Sequence, residues 1–217
     1  EHFSPDIPES YRSATHVLLG NIHPTLQERV LDQLDNPAWV LADTMNYWIS
    51  ATRKELCRLL SRIHMICIND AEAKQLSGEH SIAKAAQAVL QLGPRVVVIK
   101  RGEFGSMLFT KDTTFWLPAY PYSHVADPTG AGDSFAGGLM GYLCSRQQND
   151  EATLKQGIVF GTLMASFTIE SFSLERLNKL TRKDFFARYQ DFLQLLQFHP
   201  ADTSIYVRQA LPESQLL

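Results

Sequence analysis

The stretch Asp127–Tyr142, DPTGAGDSFAGGLMGY, holds the residues best suited to chemistry. Gly130, Ala131 and Gly132 are small residues opening a helical pattern whose apolar face carries Phe135, Leu139, Tyr142 and Leu143. The first backbone N–H groups of a helix have no partner within it. With nothing bulky beside them they can converge on an anion. Asp133 falls in the first turn, where its charge repels a phosphate rather than holding one. It makes chemical sense as the base that takes a proton from a hydroxyl attacking phosphorus. The plainer reading is a glycine-rich helix start in which Asp133 favours the helix dipole. Three commoner motifs do not fit. A Walker A loop needs Gly-Lys-Ser/Thr, but Asp133 and Ser134 follow Gly132. The dinucleotide fingerprint needs Gly or Ala where Phe135 stands. There is no G-x-S-x-G elbow.

Such a turn works only if other elements carry partners to it. The first half of the chain alternates short apolar runs with helical stretches, which predicts βαβ units and a parallel sheet. The strands are expected within His16–Asn21 and at Trp39–Ala42, Met65–Ile68 and Arg95–Lys100. Helices are expected from Pro24, over Asn46–Arg62, over Ala71–Leu76 and over Ser81–Leu92, the last two stopped by Gly78 and Gly93. Ser106–Thr110 and Thr114–Leu117 read as an edge hairpin. From Gly130 onward the pattern is helical: Ala131–Ser145, Ala152–Ile169 and Thr181–Gln197. Polar residues collect at strand ends: Asn21, Asp43, Asn69 with Glu72, and Lys100 with Gly102. In open α/β sheets that is where ligands bind. Asn and Asp also favour turns and helix caps, so each residue alone reads equally as structural.

Composition narrows the function classes. Lys plus Arg number 20 against 23 Asp plus Glu, a net charge of −3, with no basic block to track a phosphate backbone. Nucleic-acid binding is not expected. The most apolar uncharged stretches, Gly157–Ile169 and Ser134–Ser145, are too short to span a bilayer, so no membrane partner is expected. The three cysteines, Cys57, Cys67 and Cys144, contain no C-x-x-C, which predicts a reducing, cytoplasmic setting without a disulfide framework. The opening EHFSPDIPES has no apolar core for a secretory signal and no initiator Met.

Asp127-Pro128-Thr129-Gly130-Ala131-Gly132-Asp133-Ser134-Phe135 resembles the second signature of the ribokinase-like, or PfkB, carbohydrate kinases, D-T-x-G-A-G-D-x-F, with Pro128 in place of the commonest Thr. Asn69-Asp70-Ala71-Glu72 resembles the family's N-x-x-E motif. Ile99-Lys100-Arg101-Gly102 with Gly105 falls where the family has a strand ending in a nucleotide loop. The resemblance runs from about His16 to Phe192. It implies Asp133 as catalytic base and the backbone of Gly130, Ala131 and Gly132 as an anion hole. It implies Asn69 and Glu72 as organisers of Mg²⁺ through water, and Lys100, Gly102 and Gly105 as neighbours of ATP. It further implies a monovalent cation, K⁺, near Asp127 and Thr129, with its other side in the loop Glu170–Ser173.

The fold so implied is a three-layer α/β/α architecture with a mostly parallel sheet. The family's N-terminal strands, β lid and first signature are not found before His16, so the chain reads as the C-terminal portion of one domain, 1–217, with residues 199–217 as a loose tail. The function implied is transfer of the ATP γ-phosphate to a hydroxyl of a sugar or polyol. The alternatives are a nucleoside kinase of the same family and a truncated nucleotide-binding module without catalysis. A homodimer is expected only of the full-length protein.

Overall fold

The computed structural model describes residues 3–146 and 150–197. The chain divides into two units, residues 1–180 and 181–217. The tail expected at 199–217 lies outside the described residues.

The first unit is built on a six-stranded sheet in sequential order: β1 (His16–Leu19), β2 (Trp39–Asp43), β3 (Met65–Asn69), β4 (Val96–Lys100), β5 (Ser106–Phe109) and β6 (Thr114–Leu117). β1 to β4 run parallel, and β5 and β6 close one edge as an antiparallel hairpin. This is the mostly parallel sheet with an edge hairpin that the alternating pattern predicts. β2 to β4 are apolar along nearly their whole length because helices cover both faces.

One face packs on α2 (Pro24–Leu31), α3 (Asn46–Ala51), α4 (Arg53–Leu60), α5 (Asp70–Ser77) and α6 (Ile82–Leu90). Its core includes Val40, Ile66, Ile68, Val97 and Ile99 from the strands and Leu56, Leu59, Leu76 and Val89 from the helices. Each such side chain contributes roughly 1.5–3 kcal/mol relative to exposure. The opposite face meets α7 (Ala131–Cys144), against β1 and β2, and α8 (Glu151–Thr168), against β5 and β6. α7 and α8 approach closely at Gly161, where a Cβ would stand 2.7 Å from the Phe135 carbonyl oxygen. A short helix, α1 (Glu9–Arg12), precedes β1.

The single helix expected over Asn46–Arg62 is two. Thr52, at φ −135° and ψ 41°, leaves helical geometry and separates α3 from α4. Thr52 is β-branched, a type that restricts χ1 in helices, and its hydroxyl donates to the Trp48 carbonyl. In the second unit, α9 (Arg182–Leu195) begins with a reciprocal cap. Thr181 Oγ1 accepts from the Asp184 N–H at 3.2 Å, and the Asp184 carboxylate accepts from the Thr181 N–H at 3.1 Å.

Candidate active site

Strand register decides which polar strand-end residues meet. Asp43 pairs with Cys67 across β2 and β3, Cys67 with Val98 across β3 and β4, and Asn69 with Lys100 two residues further on. Side chains alternate with period two. Asp43, Cys67, Asn69 and Lys100 therefore share the face that α7 covers, near the carboxyl ends of their strands. Asn21 does not join them, because its side-chain oxygen accepts from Trp48 Nε1 at 3.0 Å.

α7 supplies the other half. Gly130 caps it in left-handed geometry, φ +79°, which glycine adopts without steric cost. Ala131, Gly132 and Asp133 then form the first turn. Lys100 Nζ lies 3.0 Å from where a Cβ on Gly132 would stand, so only a glycine leaves this space to the ammonium. The same nitrogen is 3.5 Å from Asp43 Oδ2. Asp133 is exposed, and its charge is felt at Asp43.

Several charges shift in this cluster. Burial pushes the Asp43 carboxyl above the usual range, with Lys100 and the Thr44 N–H opposing. Burial likewise raises Glu72, opposed by the Asn69 N–H and Lys100. For Lys100, burial pulls downward and Cys67, Asp43 and Glu72 push upward, with a net upward shift. Cys67 is pushed up to about 12 by complete burial, so it is a neutral thiol at pH 7. The charge that holds Lys100 protonated therefore comes from Asp43 and Glu72.

Asn69 and Glu72 form a capping box at the start of α5. The Asn69 side-chain oxygen accepts from the Glu72 N–H, and Glu72 Oε2 accepts from the Asn69 N–H, both at 2.8 Å. Asn69 thus caps a helix, as the structural reading of a strand-end Asn has it, and Glu72 reciprocates. Asp127 is similarly committed. Its carboxyl is lowered chiefly by the Thr129 N–H, at 2.9 Å, then by the Thr129 hydroxyl, with a smaller contribution from the Ser173 N–H. Ser173 has φ +54°, and the Ala126 N–H donates to the Ile169 carbonyl at 2.8 Å. The segment before α7 and the loop after α8 are therefore tied together by Ala126, Asp127, Ile169 and Ser173.

A cavity of about 670 Å³ opens beside these groups. Asn69, Lys100, Gly102, Gly105 and Gly132 are among its lining. Tyr120, Tyr122, Val125, Phe135 and Ala165 give it apolar and aromatic lining. Ser106 Oγ and Thr162 Oγ1, from residues that border the cavity, are buried without hydrogen-bond partners. Gly105 is required by packing as well as position. Its φ is +86°, and a Cβ there would stand 2.0 Å from the Leu117 carbonyl oxygen. Sequence reasoning missed Asp43 as a partner of Lys100, and missed Ser106 and Thr162. For Asp43 the signal was present in the period-two pattern, but using it required the register.

A glycine-capped helix start, an acid in its first turn, a buried lysine and a cavity with aromatic lining lie together at strand ends on a three-layer α/β fold. The sequence profile of the pfkB family carbohydrate kinases matches residues 10–179, and the chain belongs to that family. It is 34% identical over 146 residues to the cytidine kinase of Thermococcus kodakarensis, covering 64% of this chain and 52% of that protein. The chain thus spans about half the length of this relative. Its fold is similar to that of the nucleoside kinase of Methanocaldococcus jannaschii, with a TM-score of 0.68 at 19% identity, covering 87% of this chain and 59% of that one. It is also similar to a Vibrio cholerae fructokinase double mutant in its fructose, ADP and potassium ion bound form. There the TM-score is 0.62 at 19% identity, with 76% and 53% covered. Among the described residues no helix is long and apolar enough to cross a membrane.

Proposed function

We propose that this chain carries the nucleotide-binding and catalytic part of a kinase that moves the γ-phosphoryl group of ATP to a hydroxyl of a sugar, polyol or nucleoside. The observation that carries the reading is Asp133 in the first turn of α7, beside a Gly132 that leaves its side-chain space to the Lys100 ammonium. The backbone N–H groups of Gly130 and Gly132 and the Lys100 cation offer positive charge where negative charge builds up on the transferred phosphoryl oxygens, while the Ala131 N–H donates to the Pro128 carbonyl at 3.2 Å. Asp133 takes the proton of the acceptor hydroxyl as its oxygen bonds to phosphorus and ADP departs.

The cavity suits the rest of ATP. Its lining combines glycines at 102 and 132 with aromatic and apolar side chains, which suit a flat base. Ser106 and Thr162 also border the cavity, with buried hydroxyls that have no hydrogen-bond partner in the protein. The donor set also fits Mg²⁺. No group of three or more His, Cys, Asp or Glu that could hold a metal occurs among the described residues. That suits an ion that binds mainly through phosphates and water, and Asn69 and Glu72 would act on it through that water. Bound there, Mg²⁺ neutralises charge on the phosphates. Asp127, Thr129 and the Glu170–Ser173 loop support K⁺ as an activator, since the Vibrio cholerae relative binds potassium on this fold. Free thiols at Cys57, Cys67 and Cys144 support a cytoplasmic setting.

The test is a screen of sugars, polyols and nucleosides with Mg·ATP, using the natural-length protein and its Asp133→Asn variant. Asp133→Asn is expected to lower kcat by about 10²–10⁴-fold with ATP affinity little changed. Near-normal turnover by the variant refutes the assignment.

A further inference from the structure

We propose that Asp43 is a positioning residue for phosphoryl transfer, holding the Lys100 ammonium against Gly132 so that the cation meets the phosphoryl group as it passes to the acceptor. The inference rests on the kinase reading above. A lysine ammonium is a point charge on a flexible four-carbon stem, so its placement depends on what holds it. Here Asp43 Oδ2 stands 3.5 Å from Lys100 Nζ, and the two side chains are only 9% and 19% exposed.

The carboxylate is itself held. Oδ1 accepts from the Thr44 N–H at 2.8 Å. The Asp43 carbonyl accepts from Gln27 Nε2 at 3.0 Å, and that fully buried amide also donates to the Gly20 carbonyl at 2.8 Å. Gln27 thereby binds the carboxyl ends of β1 and β2 to one another, and Asp43 stands on a rigid base.

Two other acids compete for the lysine. Glu72 attracts it towards the start of α5. Asp133 immediately follows the glycine against which Lys100 rests. An ion pair between Lys100 and Asp133 would remove the cation from the phosphoryl group and make the carboxylate a weaker base. Asp43, on the sheet side, draws the ammonium away from Asp133 while keeping it at Gly132.

A double-mutant cycle on the natural-length protein tests this, with Asp43→Asn, Lys100→Met and the pair together, and Asp133→Asn as reference. ADP release reads turnover, and calorimetry reads Mg·ATP and Mg·ADP binding. Removing one charge-stabilising group outright typically costs about 10²–10³-fold, so misplacing it should cost about 10-fold or more in kcat. Asp43→Asn should also weaken Mg·ATP more than Mg·ADP, a difference that a general loss of fold does not produce. On the Lys100→Met background, Asp43→Asn should have no further effect. An equal loss on both backgrounds, or an unchanged kcat, overturns the assignment. If Asp133→Asn abolishes turnover while Asp43→Asn does not, only the Asp43 assignment falls. If the wild-type protein binds no Mg·ATP, the kinase reading falls and this inference with it.

Discussion

The Lys100 ammonium occupies the space beside Gly132 that a side chain there would fill, 3.0 Å from the position of its missing Cβ. This contact joins the end of β4 to the start of α7. It brings a cation to backbone N–H groups that already favour an anion.

Gly132→Ala should separate stability from activity. Alanine is a better helix former than glycine by roughly 0.5–1 kcal/mol in a helix interior, and the obstructing atom is the far end of a flexible side chain. The thermal midpoint should stay level or rise slightly. Turnover should fall about 10-fold or more, because the methyl group displaces Lys100 and crowds the phosphoryl position. A drop in midpoint with unchanged turnover would place the function of this glycine in folding alone.

Gly105→Ala should do the opposite. The left-handed φ of +86° and the 2.0 Å approach to the Leu117 carbonyl leave no room for a Cβ, and backbone atoms cannot rotate aside. A loss of about 2 kcal/mol or more is expected, read by urea denaturation. Wild-type stability would contradict the packing described for the β4–β5 turn.

Asp43→Asn should show a pH-dependent stability difference of definite sign. The folded carboxyl titrates above its ordinary 3.8, so burying it charged costs stability at pH 7. That cost disappears as the pH falls through the raised folded value, where the native state binds the proton more tightly than the unfolded chain. Asparagine is neutral throughout. The variant should be as stable as wild type or more so at pH 7, with the difference closing by about pH 3, where Asp is largely protonated in both states. Thermal melts from pH 3 to 8 check this. A variant markedly less stable at pH 7 would show that the ion pair with Lys100 outweighs burial.

Cysteine reactivity should follow burial. Cys67 is fully buried with its thiol pushed up to about 12, whereas Cys144 is exposed. At pH 8 the thiolate of Cys67 is a fraction of order 10⁻⁴, and thiolate is the reactive form. Brief iodoacetamide treatment of the folded protein should modify Cys144 and leave Cys67 untouched, as read by peptide mass spectrometry. Early labelling of Cys67 would mean that the face beneath α7 opens readily.

Much of this site is legible in the residue order. Gly130–Asp133 announces a glycine-capped helix start with an acid in its first turn, because the cap and a small first turn are local properties of four consecutive residues. Asn69 caps α5, as a strand-end Asn readily does, and the reciprocal bond from Glu72 three residues on is equally local. The strands, the hairpin and the order of helices follow from periodicity. The break at Thr52 did not show, because a change at one dihedral pair leaves the apolar pattern on both sides intact.

The pairing of Asp43 with Lys100 spans 57 residues and depends on which residue of β2 faces which residue of β3 and β4. A slip of one residue would turn either side chain to the opposite face of the sheet. The sequence alone therefore determined the parts whose chemistry is local: the glycine turn, the acid within it and the capped helix of N-x-x-E. Only the tertiary structure decided the rest: which strand-end charges meet, that Gly132 is open for Lys100, and that α8 brings Thr162 to the cavity. Those relationships are set by sheet register and helix packing, where each position depends on partners far away along the chain.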